Sequence, residues 1–164
     1  MKLNKIAKLV ALVILCIFIG SIGSIFTIPS ISTWYDSTNK PSFTPPNWLF
    51  GPVWIALFTL MGISLYLVLE KGWKKKKVKN AVTIFGIQFF FNVLWSILFF
   101  GLRQPFYALI EILALWVTIA LTIITFYKID KRAGWILLPY IIWVSIATLL
   151  NFYVWILNSP YMYF

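Results

Sequence analysis

The sequence predicts an all-α membrane protein: a bundle of five transmembrane helices, N-terminus inside and C-terminus outside. Three observations carry this. Hydrophobic residues make up 62% of the 164 residues and charged ones 11%, where a soluble domain has about 45–50% apolar and about 25% charged residues. Disorder is excluded, because it needs low hydrophobicity. Apolar runs long enough to cross roughly 30 Å of hydrocarbon recur along the chain, at about 6–28, 47–69, 80–102, 106–127 and 133–157. Lipid offers the backbone no water, so such runs must be helical, and the strand alternation of a β-barrel is missing. Five spans fill the length, so residues 1–164 are expected to form a single domain.

The first span follows Lys2, Lys5 and Lys8. Its apolar stretch exceeds the usual signal-peptide core and no clear A-x-A site follows, so it is expected to remain a span. Gly20, Ser24 and Thr27, with Gly23 beside them, are small residues at helical spacing that admit a close neighbour. Cys16 is the lone cysteine, which excludes an intramolecular disulfide and reads as packing. The connector 30–46 holds Pro41, Pro45 and Pro46 among aromatics, one acid and one base. Prolines fix φ and lower the entropy of holding one shape, so this segment is expected to be a rigid turn or a lid. Pro46 and Asn47 mark the start of the second span, where Trp54, Phe58 and Leu65 form a stripe.

In the third span Gln88, Asn92 and Ser96 recur every four residues and share a helix face, flanked by Trp95 and Phe99. A polar stripe in lipid either hydrogen-bonds to neighbouring helices or lines a cavity. In the fourth, Glu111 is the only acid inside a span; snorkelling, or pairing with Arg103, is the expectation. The fifth places Trp143, Ala147 and Asn151 on one face, a turn after Pro139 and Tyr140.

Fourteen Lys+Arg against four Asp+Glu give a formal charge of +10. The charges fall between apolar runs, so they point to membrane orientation and not to nucleic acid. With the N-terminus inside, Lys2, Lys5, Lys8, Lys71, Lys74–Lys77, Lys79, Lys128, Lys131 and Arg132 lie inside, and only Lys40 and Arg103 outside. The run 74–77 reads as a topology determinant, with a grip on anionic lipid as the alternative. No histidine is present, which excludes His-ligated haem, imidazole zinc sites and Ser-His or Cys-His nucleophiles. No metal site and no required cofactor are expected.

Nine Trp and 20% aromatic residues remain to be placed. Trp34, Tyr35, Trp48, Trp73, Trp155, Tyr161 and Tyr163 lie near span ends, as interfacial belts require. Trp54, Trp95, Trp116 and Trp143 lie deeper, where a belt does not account for them. Inward rings with sparse amides and hydroxyls suit a pocket for a large, flat, apolar ligand.

The segment Trp34-Tyr35-Asp36-Ser37-Thr38-Asn39-Lys40-Pro41-Ser42-Phe43-Thr44-Pro45-Pro46 resembles the signature of the TspO/translocator family, the tryptophan-rich sensory proteins or peripheral benzodiazepine receptors. Thr38 and Phe43 stand where that pattern usually has Leu and Trp. Gly51-Pro52-Val53-Trp54 with Met61-Gly62, Asn92-x-x-Trp95-Ser96-x-x-Phe99-Phe100, and Pro139-Tyr140-x-x-Trp143 with Ala147 and Asn151 are similar to its later blocks. The resemblance covers about 6–157. It implies a five-helix membrane protein, commonly a homodimer, binding porphyrins and other tetrapyrroles or isoquinoline- and benzodiazepine-type ligands beneath the first outer loop; Ile/Lys/Asn-rich usage and the lack of a targeting presequence point to a bacterial inner membrane. The implied pocket residues are Trp34, Tyr35, Trp54, Phe58, Asn92, Trp95, Ser96, Tyr140, Trp143, Ala147 and Leu150. Trp54 and Trp143 would flank the ligand and Asn92 would anchor it. Reception or sensing is the first functional reading. Light- and oxygen-dependent porphyrin breakdown at Trp54 and Trp143 is the second, and transport of tetrapyrroles or other lipophiles the third. No base follows Arg132, so the sterol-recognition pattern at the end of the last span is absent.

Overall fold

The computed structural model describes residues 2–159, with side chains from residue 4 onward; Tyr161 and Tyr163, expected in the belt, lie outside the described residues. The helices are α1 (Lys2–Ser30), α2 (Phe50–Leu69), α3 (Lys76–Ser96), α4 (Pro105–Ile129), α5 (Lys131–Ile136) and α6 (Leu138–Asn158). Five helical stretches are long and apolar enough to cross a membrane, with α5 and α6 forming the last one together. The chain is an all-helical, multi-pass membrane protein.

The first span is longer than its apolar run suggests. The expectation that it ends near residue 28 and that Trp34 and Tyr35 belong to a loop is corrected: α1 continues through a wide π turn, Ile31–Tyr35. Pro29 sits inside the helix and removes one backbone donor. Side-chain hydroxyls then take up carbonyls that the wider turn frees. Thr33 Oγ1 donates to Pro29 O at 2.7 Å. A second π turn, Ile97–Gly101, ends α3. Ser30 Oγ donates to Phe100 O there at 2.9 Å, so the two widened turns are joined side by side. Arg103, at φ 54°, reverses the chain into α4, a left-handed conformation uncommon for a non-glycine residue.

The helices close a ring in the order α1, α2, α5–α6, α4, α3, back to α1. α1 and α2 make the most extensive pairing. Their closest approach is at Gly62, where an added Cβ would lie 2.5 Å from the Val13 Cα. By contrast α2 holds its backbone away from α3 and α6, and aromatic side chains bridge the gap. Trp54 stacks on Phe58 at 5.4 Å, Phe58 on Phe89 at 5.9 Å, and Phe50 meets Trp143 edge-on at 5.8 Å.

One end of the bundle collects the lysines and is clamped by ion pairs. Glu70, after α2, meets Lys8 of α1 at 2.8 Å and Lys5 at 3.7 Å. These lysines hold the Glu70 carboxyl below its usual range. Asp130, between α4 and α5, is buried and meets Lys71 at 2.9 Å and Arg132 at 3.1 Å. Its carboxyl also accepts the Arg132 backbone N–H at 3.0 Å, capping α5. Hydrogen bonding from Arg132 first, and from Lys71, holds this carboxyl far below the ordinary range.

The opposite end carries the 36–46 connector. Lys40 Nζ donates to the carbonyls of Tyr35, Asp36 and Thr38 at 2.6, 2.9 and 3.2 Å, which closes the end of the first span. Asn158 and Asn39 exchange two hydrogen bonds of 2.9 Å. Phe43 packs edge-on to Tyr153 at 5.5 Å. The connector is therefore fastened to the end of α6.

Candidate functional site: a cavity between α1, α2 and α3

Toward the connector end α1 and α2 diverge, and a cavity of about 240 Å3 opens between them over α3. α2 supplies Phe50, Gly51, Trp54, Ile55 and Phe58, and α3 supplies Asn92, Trp95 and Ser96, with Phe100 from its π turn. α1 supplies Gly20, Ser21, Ser24, Thr27 and Ile28, and its π turn adds Ile31. Gly20 leaves room for the Phe58 ring, which a Cβ at that position would displace. The wall is thus mainly indole, phenyl and aliphatic, with a few polar atoms, the usual make-up of a site for a lipophilic ligand.

Some of those polar atoms are already engaged. Ser24 Oγ donates to Ser21 O at 2.5 Å and Thr27 Oγ1 to Gly23 O at 3.2 Å, so both hydroxyl protons are engaged along α1. Asn92 donates its amide N–H to the Tyr140 hydroxyl at 3.1 Å. Tyr140 in turn donates to Gln88 Oε1 at 2.8 Å. The third-span stripe therefore does both things open to it: Gln88 is tied to α6, while Asn92 and Ser96 reach the cavity.

The eleven implied site residues separate into three groups. Trp54, Phe58, Asn92, Trp95 and Ser96 line the large cavity. Tyr35, Ala147 and Leu150, again with Trp95, line a narrow crevice of about 10 Å3 on the other side of Phe50 and Phe100. Trp34, Tyr140 and Trp143 line neither space. Trp34 packs on Phe99 at 5.5 Å. Tyr140 is the buried hub of the Gln88–Asn92 network. Trp143 stands behind Phe50, and its indole N–H is buried without a partner among the described residues. Ser21, Ile28, Ile31, Phe50, Gly51, Ile55 and Phe100 line the cavity without being singled out as site residues. Ser21, Ser24 and Ile28 do share one helix face by spacing, which is the signal available for them.

Three further expectations are corrected. Tyr35 is no belt residue: it is 2% exposed, packed among Phe50, Phe99 and Phe100. Trp116, although deep in its span, is 39% exposed toward the bilayer and donates to Ser145 Oγ at 2.9 Å. Glu111 neither snorkels nor pairs with Arg103. It is buried, and both carboxyl oxygens lack a partner among the described residues. Burial at 7% exposure keeps the carboxyl from the membrane surface that a snorkelling chain would reach.

Five helices long and apolar enough to cross a membrane, ringed around aromatic side chains with a partly polar cavity among them, define an integral membrane protein with room for a lipophilic molecule. The comparisons with known proteins agree. The TspO/MBR family model matches residues 12–156. The chain is 47% identical over 135 residues to the tryptophan-rich protein TspO of Archaeoglobus fulgidus, covering 82% of this chain and 86% of that one. It is 46% identical over 131 residues to the tryptophan-rich protein TspO of Chlorobaculum tepidum, covering 79% and 83%. It is 37% identical over 123 residues to the human translocator protein, covering 74% and 73%. The chain belongs to the TspO/MBR family.

Proposed function

We propose that the protein is a membrane receptor or sensor that binds porphyrin-type tetrapyrroles and similar flat lipophilic molecules in the cavity between α1, α2 and α3. The cavity wall carries this reading: Phe50, Trp54, Phe58, Trp95 and Phe100 offer ring faces and edges to a planar π-system, and Asn92 adds one amide. Ring-to-ring contacts prefer offset or edge-on geometry and are worth about 0.5–1.5 kcal/mol each beyond burial. Micromolar affinity, about 8 kcal/mol, then needs these contacts together with burial of the ligand's apolar surface. Isoquinoline- and benzodiazepine-type ligands fit the same chemistry. In the same reading the lysine end faces the inside, as the positive-inside rule requires, and two chains associate as a homodimer.

Titrating reconstituted protein with protoporphyrin IX, read by quenching of tryptophan emission, tests the proposal. Saturable quenching is expected, with affinity lowered at least tenfold by Trp54→Ala or Phe58→Ala. Linear, non-saturating quenching that neither substitution changes would sink it. A photochemical reading has one supporting observation, the oxidisable Trp54 and Trp95 rings in the cavity wall. Loss of the Soret band on illumination, abolished in Trp54→Phe, separates breakdown from binding.

A further inference from the structure

We propose that the cavity is entered sideways from the bilayer, through the gap between α1 and α2, and not from the water beyond the 36–46 connector. The inference rests on the ligand class proposed above and adds its route.

The open side of the cavity is framed by exposed residues: Ser21 and Ile28 on α1, Gly51 and Ile55 on α2. All four lie in the membrane-crossing stretches, so what faces the opening is acyl chain. The end toward the connector is shut. Tyr35 is buried among three phenyl rings 5.7–6.2 Å away, Lys40 caps the helix end with three hydrogen bonds, and the Asn39–Asn158 pair fastens the connector to α6.

Volume supports the same conclusion. Pockets that enclose a drug-sized ligand measure about 300–1,000 Å3, more than the 240 Å3 available here. A tetrapyrrole therefore inserts edge-on and leaves part of its rim in the gap, still in contact with lipid. Such a molecule already partitions into the bilayer, because burying its apolar surface there is favourable, so a lateral route keeps it out of water throughout.

Gly51 makes the route testable. A Cβ at Gly51 would meet nothing within 4 Å, and the same holds for Gly86 on the exposed side of α3, remote from the cavity. Gly51→Trp therefore places an indole at the mouth from a position with open space at its Cβ, and Gly86→Trp is the matched control. A double variant, Asn39→Cys with Asn158→Cys, locks the connector when oxidised.

In lipid nanodiscs, protoporphyrin IX association followed by stopped-flow tryptophan quenching is expected to slow at least tenfold in Gly51→Trp. It should stay within twofold of the parent in Gly86→Trp and in the oxidised double variant. A parent-like rate in Gly51→Trp, or a tenfold loss on locking the connector, overturns the lateral route. An independent readout needs no porphyrin. A nitroxide at Ser24→Cys should relax readily with oxygen dissolved in the bilayer and poorly with a water-soluble nickel complex, and Gly51→Trp should lower the oxygen effect. Strong relaxation by the nickel complex overturns the route even if porphyrin binds. Absence of saturable porphyrin binding in the parent, alongside oxygen access at residue 24, would instead remove the proposed ligand and leave the lateral opening standing.

Discussion

Tyr140 shows how one hydroxyl organises the core. It donates to Gln88 and accepts from Asn92, and all three residues are buried. Removing the hydroxyl strands polar atoms where no water replaces them, and an orphaned buried group costs about 1–3 kcal/mol. Tyr140→Phe is expected to destabilise by that amount, read as thermal unfolding in detergent. It should also weaken porphyrin binding, because Asn92 loses the partner that orients its amide. A Tyr140→Phe protein as stable as the parent would show that the network is dispensable. Asp130 gives a prediction in pH. Arg132 and Lys71 hold its carboxyl below the unfolded value, about 3.9. A depressed acid contributes stability that is fully present above the unfolded pKa and lost as pH falls through the folded one. The Asp130 contribution to the stability of the parent should therefore be full and unchanging between about pH 5 and 8, and should fall away below about pH 4. Asp130→Asn should remove that acidic step. At neutral pH it should cost about 1–2 kcal/mol, because both bases are partly solvated and a cap is weakened as well. An acid limb that persists unchanged in Asp130→Asn assigns it to other groups.

The glycines report how tightly the elements pack. At Gly62 a Cβ would press on the Val13 backbone, and at Gly134 it would lie 2.6 Å from the Tyr127 Cβ. Backbone cannot rotate aside, so α1 or α4 would have to shift, at about 1–3 kcal/mol for overpacking. Gly86 has open space, and alanine there gains helix propensity of up to about 1 kcal/mol. The expected order of melting temperatures is Gly86→Ala at or above the parent, with Gly62→Ala and Gly134→Ala below it. Equal melting for all three would mean that the α1–α2 approach at Gly62 yields to a methyl group without cost. Much at this scale was legible in the sequence. The spans were, because lipid demands long apolar helices, and so were the inward faces, because 3.6-residue periodicity groups Gln88, Asn92 and Ser96. The continuation of α1 was not. Pro29, Ser30, Ser32 and Thr33 look like the start of a loop, and only the fold shows Thr33 and Ser30 hydroxyls taking the carbonyls of Pro29 and Phe100. The break at Leu137 between α5 and α6 does not show in hydropathy; its signal is Pro139, in the first turn of α6. Spacing also assigned Asn92, Trp95 and Ser96 to one wall. It left out Ile28 and Gly51, since their meeting depends on the angle at which α1 leaves α2, and spacing fixes a face but no crossing angle.

Across the whole molecule the two ends are fastened differently, and the cavity lies between them. Ion pairs tie α1 to α2 and α2 to α5 at the lysine end; hydrogen bonds and rings tie the connector to α6 at the other. Between these, the half of α1 nearest the connector leans on α2 through a gap where a neighbour's side chains would otherwise be, and on α3 through Gly23 against Ser96. Local opening is easiest where buried contacts are fewest, so residues 20–31 should exchange their amides faster than the α3 and α4 cores. A ligand seated in the cavity would touch α1, α2 and α3 together and supply the missing contacts. Binding at one hundred times Kd adds about 2.7 kcal/mol to the folded state. Its local part should appear as slower hydrogen exchange in 20–31 and 47–58, with the lysine end unchanged. Exchange measured in nanodiscs with and without protoporphyrin IX decides this: uniform protection along the chain would point to general stiffening, and protection confined to 140–151 would move the ligand to the crevice beside Ala147 and Leu150.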